Sequence, residues 1–125
     1  RLWHYKYFIL LNSSTKGPFY PAYMPPAWHW THAYLARFHG GAPDVHAVSS
    51  SLVCLPGVDA GGPGPRLESW ALALDALALS VLLQAGALDV RKCKMCTGSG
   101  GIVVNGEYGL STALLAANAN FATLM

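Results

Sequence analysis

The residues of this chain best suited to chemistry gather in a few places. The first is Asn12-Ser13-Ser14-Thr15-Lys16-Gly17, which follows directly on the apolar run Tyr7 to Leu11. It sets an amide, three hydroxyls and an ammonium on a turn-forming stretch. The second is Glu107, which follows Asn105-Gly106 and precedes the apolar segment YGLSTALL. The third is Cys93-Lys94-Met95-Cys96, a C-x-x-C. The fourth is Trp28-His29-Trp30-Thr31-His32, in which the histidines lie three apart.

Each of these has a structural reading beside a chemical one. The three cysteines do not make an even disulfide framework. Structural zinc normally takes four ligands, and no second Cys pair exists to complete a site with Cys93 and Cys96. A redox C-x-x-C belongs at a helix start after a strand, whereas this one lies in a Lys/Gly/Ser-rich stretch. Plain loop cysteines or a local disulfide are therefore the expectation. The aromatic cluster either lids the edge of the core or forms a stacking platform for a sugar ring or a base. Two histidines alone do not define a metal site.

The elements that must carry these residues follow from the apolar pattern. Tyr7 to Leu11 is a short continuous apolar run closed by turn residues. It is expected to be a strand buried on both faces, as in a parallel sheet. Its polar carboxyl end is then where ligands bind in open α/β sheets. Four prolines make residues 17–27 an irregular loop. A short helix is predicted over Thr31 to Phe38, closed by Gly40-Gly41. Asp44 to Cys54 reads as a second strand, and the Gly/Pro-rich residues 56–65 as a loop. Arg66 to Ala85 is predicted as one helix: Trp70, Leu74, Leu77, Val81 and Ala85 form a stripe, Glu68 and Asp75 fall on the other half, and Gly86 ends it. Asn105 is expected to cap a last helix to about Asn118, with Glu107 in the first turn, where the macrodipole favours a carboxylate. Phe121 to Met125 reads as a final strand. The order is an α/β pattern in a single domain, residues 1–125.

Composition narrows the function classes. The chain is 53% apolar and 11% charged with a net charge of +2, which argues against disorder. There is no basic run, so nucleic acid is not an expected partner. Trp70 to Leu88 is long enough for a membrane span, but Asp75, Ser80 and Gln84 make a buried helix the better reading. The first residue is Arg1, close to an apolar strand, so the sequence is expected to be a fragment of a longer protein.

Two stretches then carry a family resemblance. YFILLNSSTKGPFYPAYMP with WHWTHAYLARF resembles the "strand, N-(D/S)-S, x-x-G-P-F" signature of a glycosyltransferase-like family. That family is related to the rhamnan-synthesis F type and to uncharacterised plant, algal and microbial sugar transferases. VNGEYGLSTALLAANANFATLM resembles its closing "E-x-G-L-S-x-A-(I/L)-L" segment and is similar to the "E-D-x-x-L" helix of GT-A glycosyltransferases. PRLESWALALDALAL, between them, is similar to a "P-H-V-Q-S-x-x-x-A-T-D" block. The resemblance covers almost the whole chain.

It implies the C-terminal part of a GT-A-like (Rossmann-like) domain, with a mixed or mostly parallel sheet and flanking helices, that transfers a sugar from a nucleotide sugar to a glycan acceptor hydroxyl. The nucleotide-binding half would precede Arg1. In a eukaryote the expected setting is the Golgi or secretory lumen. Asn12-Ser13-Ser14 would stand where the family has the metal-binding D-x-D. A divalent Mn or Mg ion belongs to that pattern, but neither flanking position here is a carboxylate. The loop is instead expected to meet the diphosphate with hydroxyls, backbone amides and Lys16. Glu107 would be the general base, and Glu68, at the family's Gln position, an acceptor contact. The alternative is a non-catalytic carbohydrate-binding or degenerate transferase module.

Overall fold

Along Ala71-Leu72-Ala73-Leu74 small and large side chains alternate with period two, so a strand there turns alanines to one face and leucines to the other. The computed structural model describes residues 4–40, 44–55, 64–89, 91 and 101–125. In it Ala71–Asp75 is a strand, β5, and not the first half of a helix. Its neighbours are Tyr7–Leu11 (β1) on one side and Val45–Ser49 (β2) on the other, both antiparallel to it. Asn120–Thr123 (β6) pairs in parallel with β2, giving a sheet of order β1-β5-β2-β6. Thus β1, β2 and β6 run one way and β5 the other: a mixed sheet flanked by helices, as the α/β pattern predicted.

The two faces of the sheet bury different partners. Ala71 and Ala73 pack with Val45, Val48 and Tyr34 beneath Thr31–Phe38 (α1). Leu72 and Leu74 pack on the opposite face with Ala78 and Leu82 of Ala76–Gln84 (α2) and with Leu110 and Leu114 of Tyr108–Ala116 (α3). Small residues admit the aromatic side and leucines fill the helical side. The helix predicted over Arg66 to Ala85 fails for this reason: apolarity alone does not separate a strand buried on both faces from a buried helix. The expectation for β1 fails in the same way. It is an edge strand, and Leu10 and Leu11 at its end are exposed. The doubly buried central strand is β5.

Asp75, expected in mid-helix, marks the change from strand to helix. Its Oδ1 accepts the backbone N–H of Ala78 at 2.8 Å, an N-cap for α2. Its Oδ2 pairs with His46 Nδ1 at 2.7 Å. Asp75→Ala is therefore expected to cost about 1–2 kcal/mol, read as a lower urea midpoint with an unchanged slope. Asp75→Asn, which keeps an acceptor, is expected to recover most of it. An unshifted midpoint in Asp75→Ala would show that the cap contributes nothing. Gly86 ends α2 as expected, at φ 65°, with Gly86 N donating to Leu83 O and Ala87 N to Leu82 O. Asn118 does the same for α3 at φ 54°, with Asn118 N donating to Leu115 O and Ala119 N to Leu114 O. Asn is one of the few side chains that accept that conformation.

The remaining elements refine the expectations. Helix α1 has the predicted bounds. The single strand expected from Asp44 to Cys54 is two: β2 ends at Ser49, and Leu52–Leu55 (β3) pairs antiparallel with Gly64–Leu67 (β4) in a separate ribbon. The break falls at Ser49 and Ser50. Both are buried, with Ser49 Oγ donating to Glu68 O and Ser50 Oγ bonded to Tyr34 OH. Asn105 caps no helix. Val103–Glu107 forms a π-helical segment that runs straight into α3. Cys54 is an exposed free thiol, whereas Cys93 and Cys96 lie outside the described residues. Among the described residues no helix is long and apolar enough to cross a membrane.

Candidate functional site

The loop after β1 is shaped by its own side chains. Asn12 Oδ1 accepts the N–H of Ser14 at 2.9 Å. That is an Asx turn, tightened by Thr15 N donating to Asn12 O. The loop is anchored at one atom of the neighbouring strand. Trp70 O accepts both Asn12 N at 3.1 Å and Thr15 Oγ1 at 2.7 Å. Gly17, at φ 125°, then turns the chain in a conformation that side chains rarely adopt.

This turn brings Lys16 and Pro18 to the rim of a cleft of about 450 Å³ whose other walls include Trp28, Trp30, Tyr34 and Trp70. Its size suits a small ligand. It sits at the carboxyl ends of β1 and β6, where Leu11 and Leu124 also line it. A cleft thus opens at the carboxyl end of β1, although β1 is not a central strand. The aromatic walls are braced from behind. Trp30 and Tyr34 meet edge to face at 5.9 Å, and Tyr20 meets Trp28 likewise at 5.6 Å. Tyr34 OH is bonded to Ser50 Oγ at 2.5 Å.

Glu68 stands behind one wall. Its Oε2 accepts the hydroxyl of Ser51 and the indole N–H of Trp70, the latter at 3.1 Å. These two bonds, that of Ser51 foremost, hold its carboxyl below the usual carboxylate range. Glu68 is thus anionic at neutral pH, and it fixes the plane of the Trp70 ring.

Glu107, from the π-helical segment, meets the next residue of that turn, Ser69. Its Oε1 accepts Ser69 Oγ at 3.1 Å. It is exposed at the last residue of the π-helical segment, so the turn of helix preceding it removes the first-turn macrodipole argument made from the sequence. It lines a shallower depression of about 340 Å³ with Ser69, Ile102 and Val103, not the aromatic cleft. The structure therefore brings Asn12, Ser13, Ser14 and Lys16 together in one loop and joins that loop to Glu68 and Glu107 through the turn Glu68-Ser69-Trp70. It does not bring Glu107 into the cleft.

The loop does not fit the divalent cation that its place in the resemblance implies. Asn12 Oδ1 is already engaged by the N–H of Ser14, and no carboxylate lies between Asn12 and Lys16. Mg²⁺ and Mn²⁺ take hard, usually anionic oxygen donors. Among the described residues no group of three His, Cys, Asp or Glu side chains is placed to hold a metal ion.

Sequence reasoning missed Tyr34 and Trp70 as parts of the site. Trp70 falls on the helical stripe of the sequence pattern, but the strand that starts at Ala71 leaves it on the preceding turn. No local signal marks that start, because the Ala-Leu alternation of Ala71 to Leu74 recurs at Ala76 to Leu79 in α2. Searched against protein-family models, curated proteins and solved structures, the chain matches none.

Proposed function

We propose that this chain is the acceptor-side part of a GT-A-like glycosyltransferase domain, and that the aromatic cleft holds a sugar ring of its substrate. The observation that carries the reading is the cleft itself: three indoles and a phenol ring, braced by hydrogen bonds and edge contacts, beside a polar loop at the carboxyl ends of two strands of the same sense. Sugar rings present faces of C–H groups, and these pack on aromatic π-systems with a geometry that plain apolar surface does not supply. The resemblance of the NSSTKGPF and EYGLSTALL segments to sugar transferases supports the same reading. In it, Lys16 and the loop hydroxyls of Ser13 and Ser14 meet polar groups of the substrate. Glu68 orients Trp70, and Glu107, in the neighbouring depression, takes the proton from an acceptor hydroxyl that extends there. As the new glycosidic bond forms, the bond from the donor's anomeric carbon to its nucleoside diphosphate breaks, the diphosphate leaving with the electron pair. A divalent cation has no part in this scheme.

The occupied Oδ1 of Asn12 and the lack of a nearby carboxylate favour a second reading, a saccharide-binding module without transfer. The two readings share the cleft and differ in the outcome with a nucleotide sugar. Trp70→Ala is expected to weaken binding of a short oligosaccharide about tenfold or more, since one stacked ring contributes on the order of 1–1.5 kcal/mol. Calorimetric titration against a panel of oligosaccharides measures this. Binding without transfer from any nucleotide sugar, by a protein that also carries the nucleotide-binding half, would select the module. No binding by the unmodified protein would discard both readings.

A further inference from the structure

Resting on the reading of the cleft as a sugar site, we infer that it selects sugar rings bearing a carboxylate, that is, hexuronate residues. Several polar groups of the lining are already engaged. Tyr34 OH is bonded to Ser50 Oγ, Thr15 Oγ1 donates to Trp70 O, and the indole N–H of Trp70 donates to Glu68. Lys16 is the only charged residue of the lining, and it has no hydrogen bond or ion pair among the described residues.

The ring faces sharpen the same preference. Glu68 is anionic and hydrogen-bonded to the Trp70 N–H, which polarises the indole toward a more electron-rich face. Such a face attracts the weakly positive C–H groups of a sugar ring and repels an anion stacked on it. An acidic sugar therefore fits in one orientation: its C–H face on Trp70 and its carboxylate at the rim, against Lys16. A neutral hexose keeps the stacking and forgoes the charge-assisted hydrogen bond. A flat anionic ring, whose charge is delocalised over the stacking face, meets the wrong potential.

The test compares three probes on the unmodified protein and on Lys16→Ala and Lys16→Glu: a galacturonate tetramer, the matching galactose tetramer and uridine diphosphate. Dissociation constants are taken at low and at high salt. The unmodified protein is expected to bind the galacturonate about tenfold more tightly than the galactose oligomer at low salt. That ratio should shrink as salt screens the rim. In Lys16→Ala the ratio is expected to fall to about one, and in Lys16→Glu to invert. Because the readout is a ratio between two probes, a partial loss of folded protein does not mimic it. Equal affinity for the two oligomers in the unmodified protein overturns the inference and leaves the sugar cleft standing. Uridine diphosphate bound through Lys16, with no preference for galacturonate, also overturns it. No saccharide binding at all removes the inference together with the reading beneath it.

Discussion

Glu107→Gln is expected to lower sugar transfer by about 10²–10⁴-fold, the usual contribution of a positioned general base, while leaving the fold and saccharide binding intact. The substitution is nearly isosteric. The one hydrogen bond recorded for the Glu107 side chain is accepted from Ser69 Oγ, and the amide oxygen of Gln accepts it equally well. Glu107 is exposed, so no buried charge is removed and the cost in stability is expected to stay within about 0.5 kcal/mol. The mutation therefore separates chemistry from architecture. Transfer is measured as sugar incorporated into acceptor, binding by titration, and stability by urea unfolding. Unchanged transfer would remove Glu107 as the base, and the cleft would survive that result. Loss of binding alongside transfer would instead assign Glu107 to the ligand's support. The second outcome has a route, because Ser69 adjoins Trp70, and a shift of that turn would move a wall of the cleft.

The turn Glu68-Ser69-Trp70 also shows how far the sequence was legible. Short, strongly punctuated elements were readable: α1 between a proline-rich loop and glycines, the turn at Asn12, and the stop of α2 at Gly86. Each is set by local backbone preference. The mixed α/β order was readable too, as was the polar turn at the carboxyl end of β1, beside which a cleft opens. What was not readable was whatever depends on partners distant in sequence. Tyr7 to Leu11 and Ala71 to Leu74 are both unbroken apolar runs, yet one is an edge strand and the other the centre of the sheet. Only the pairing distinguishes them, and nothing in either run encodes it. For the site, the loop residues could be named because their types are polar and crowded. Of the cleft, the Trp28 to His32 cluster could be named as a possible stacking platform, but its meeting with Trp70 could not, since Trp70 is about forty residues away in sequence.

Leu114→Ala is expected to cost about 2–5 kcal/mol, a large share of the 5–15 kcal/mol that holds a domain of this size. Leu114 is fully buried, packed with Leu67, Leu72 and Leu82 where α3 meets the helical face of the sheet. The site gives the substitution further interest. Helix α3 continues the segment that carries Glu107, and its buried Ser111 accepts the backbone N–H of Leu67 at 2.8 Å, just before Glu68. One helix thus holds both Glu107 and the strand leading into the Glu68-Ser69-Trp70 turn. A cavity beneath it is expected to weaken saccharide binding before it unfolds the protein, whereas the same truncation at the next residue should not. Leu115 is 42% exposed, so Leu115→Ala removes the same atoms from the same helix at little cost, within about 1 kcal/mol. Helix propensity changes alike in the two variants, and what differs is the face. Urea midpoints of the pair therefore report which side of α3 meets the core. Equal losses at Leu114 and Leu115 would mean that α3 is rotated from the position described, and the link from its Ser111 to Leu67, and through it to the cleft, would fail with it.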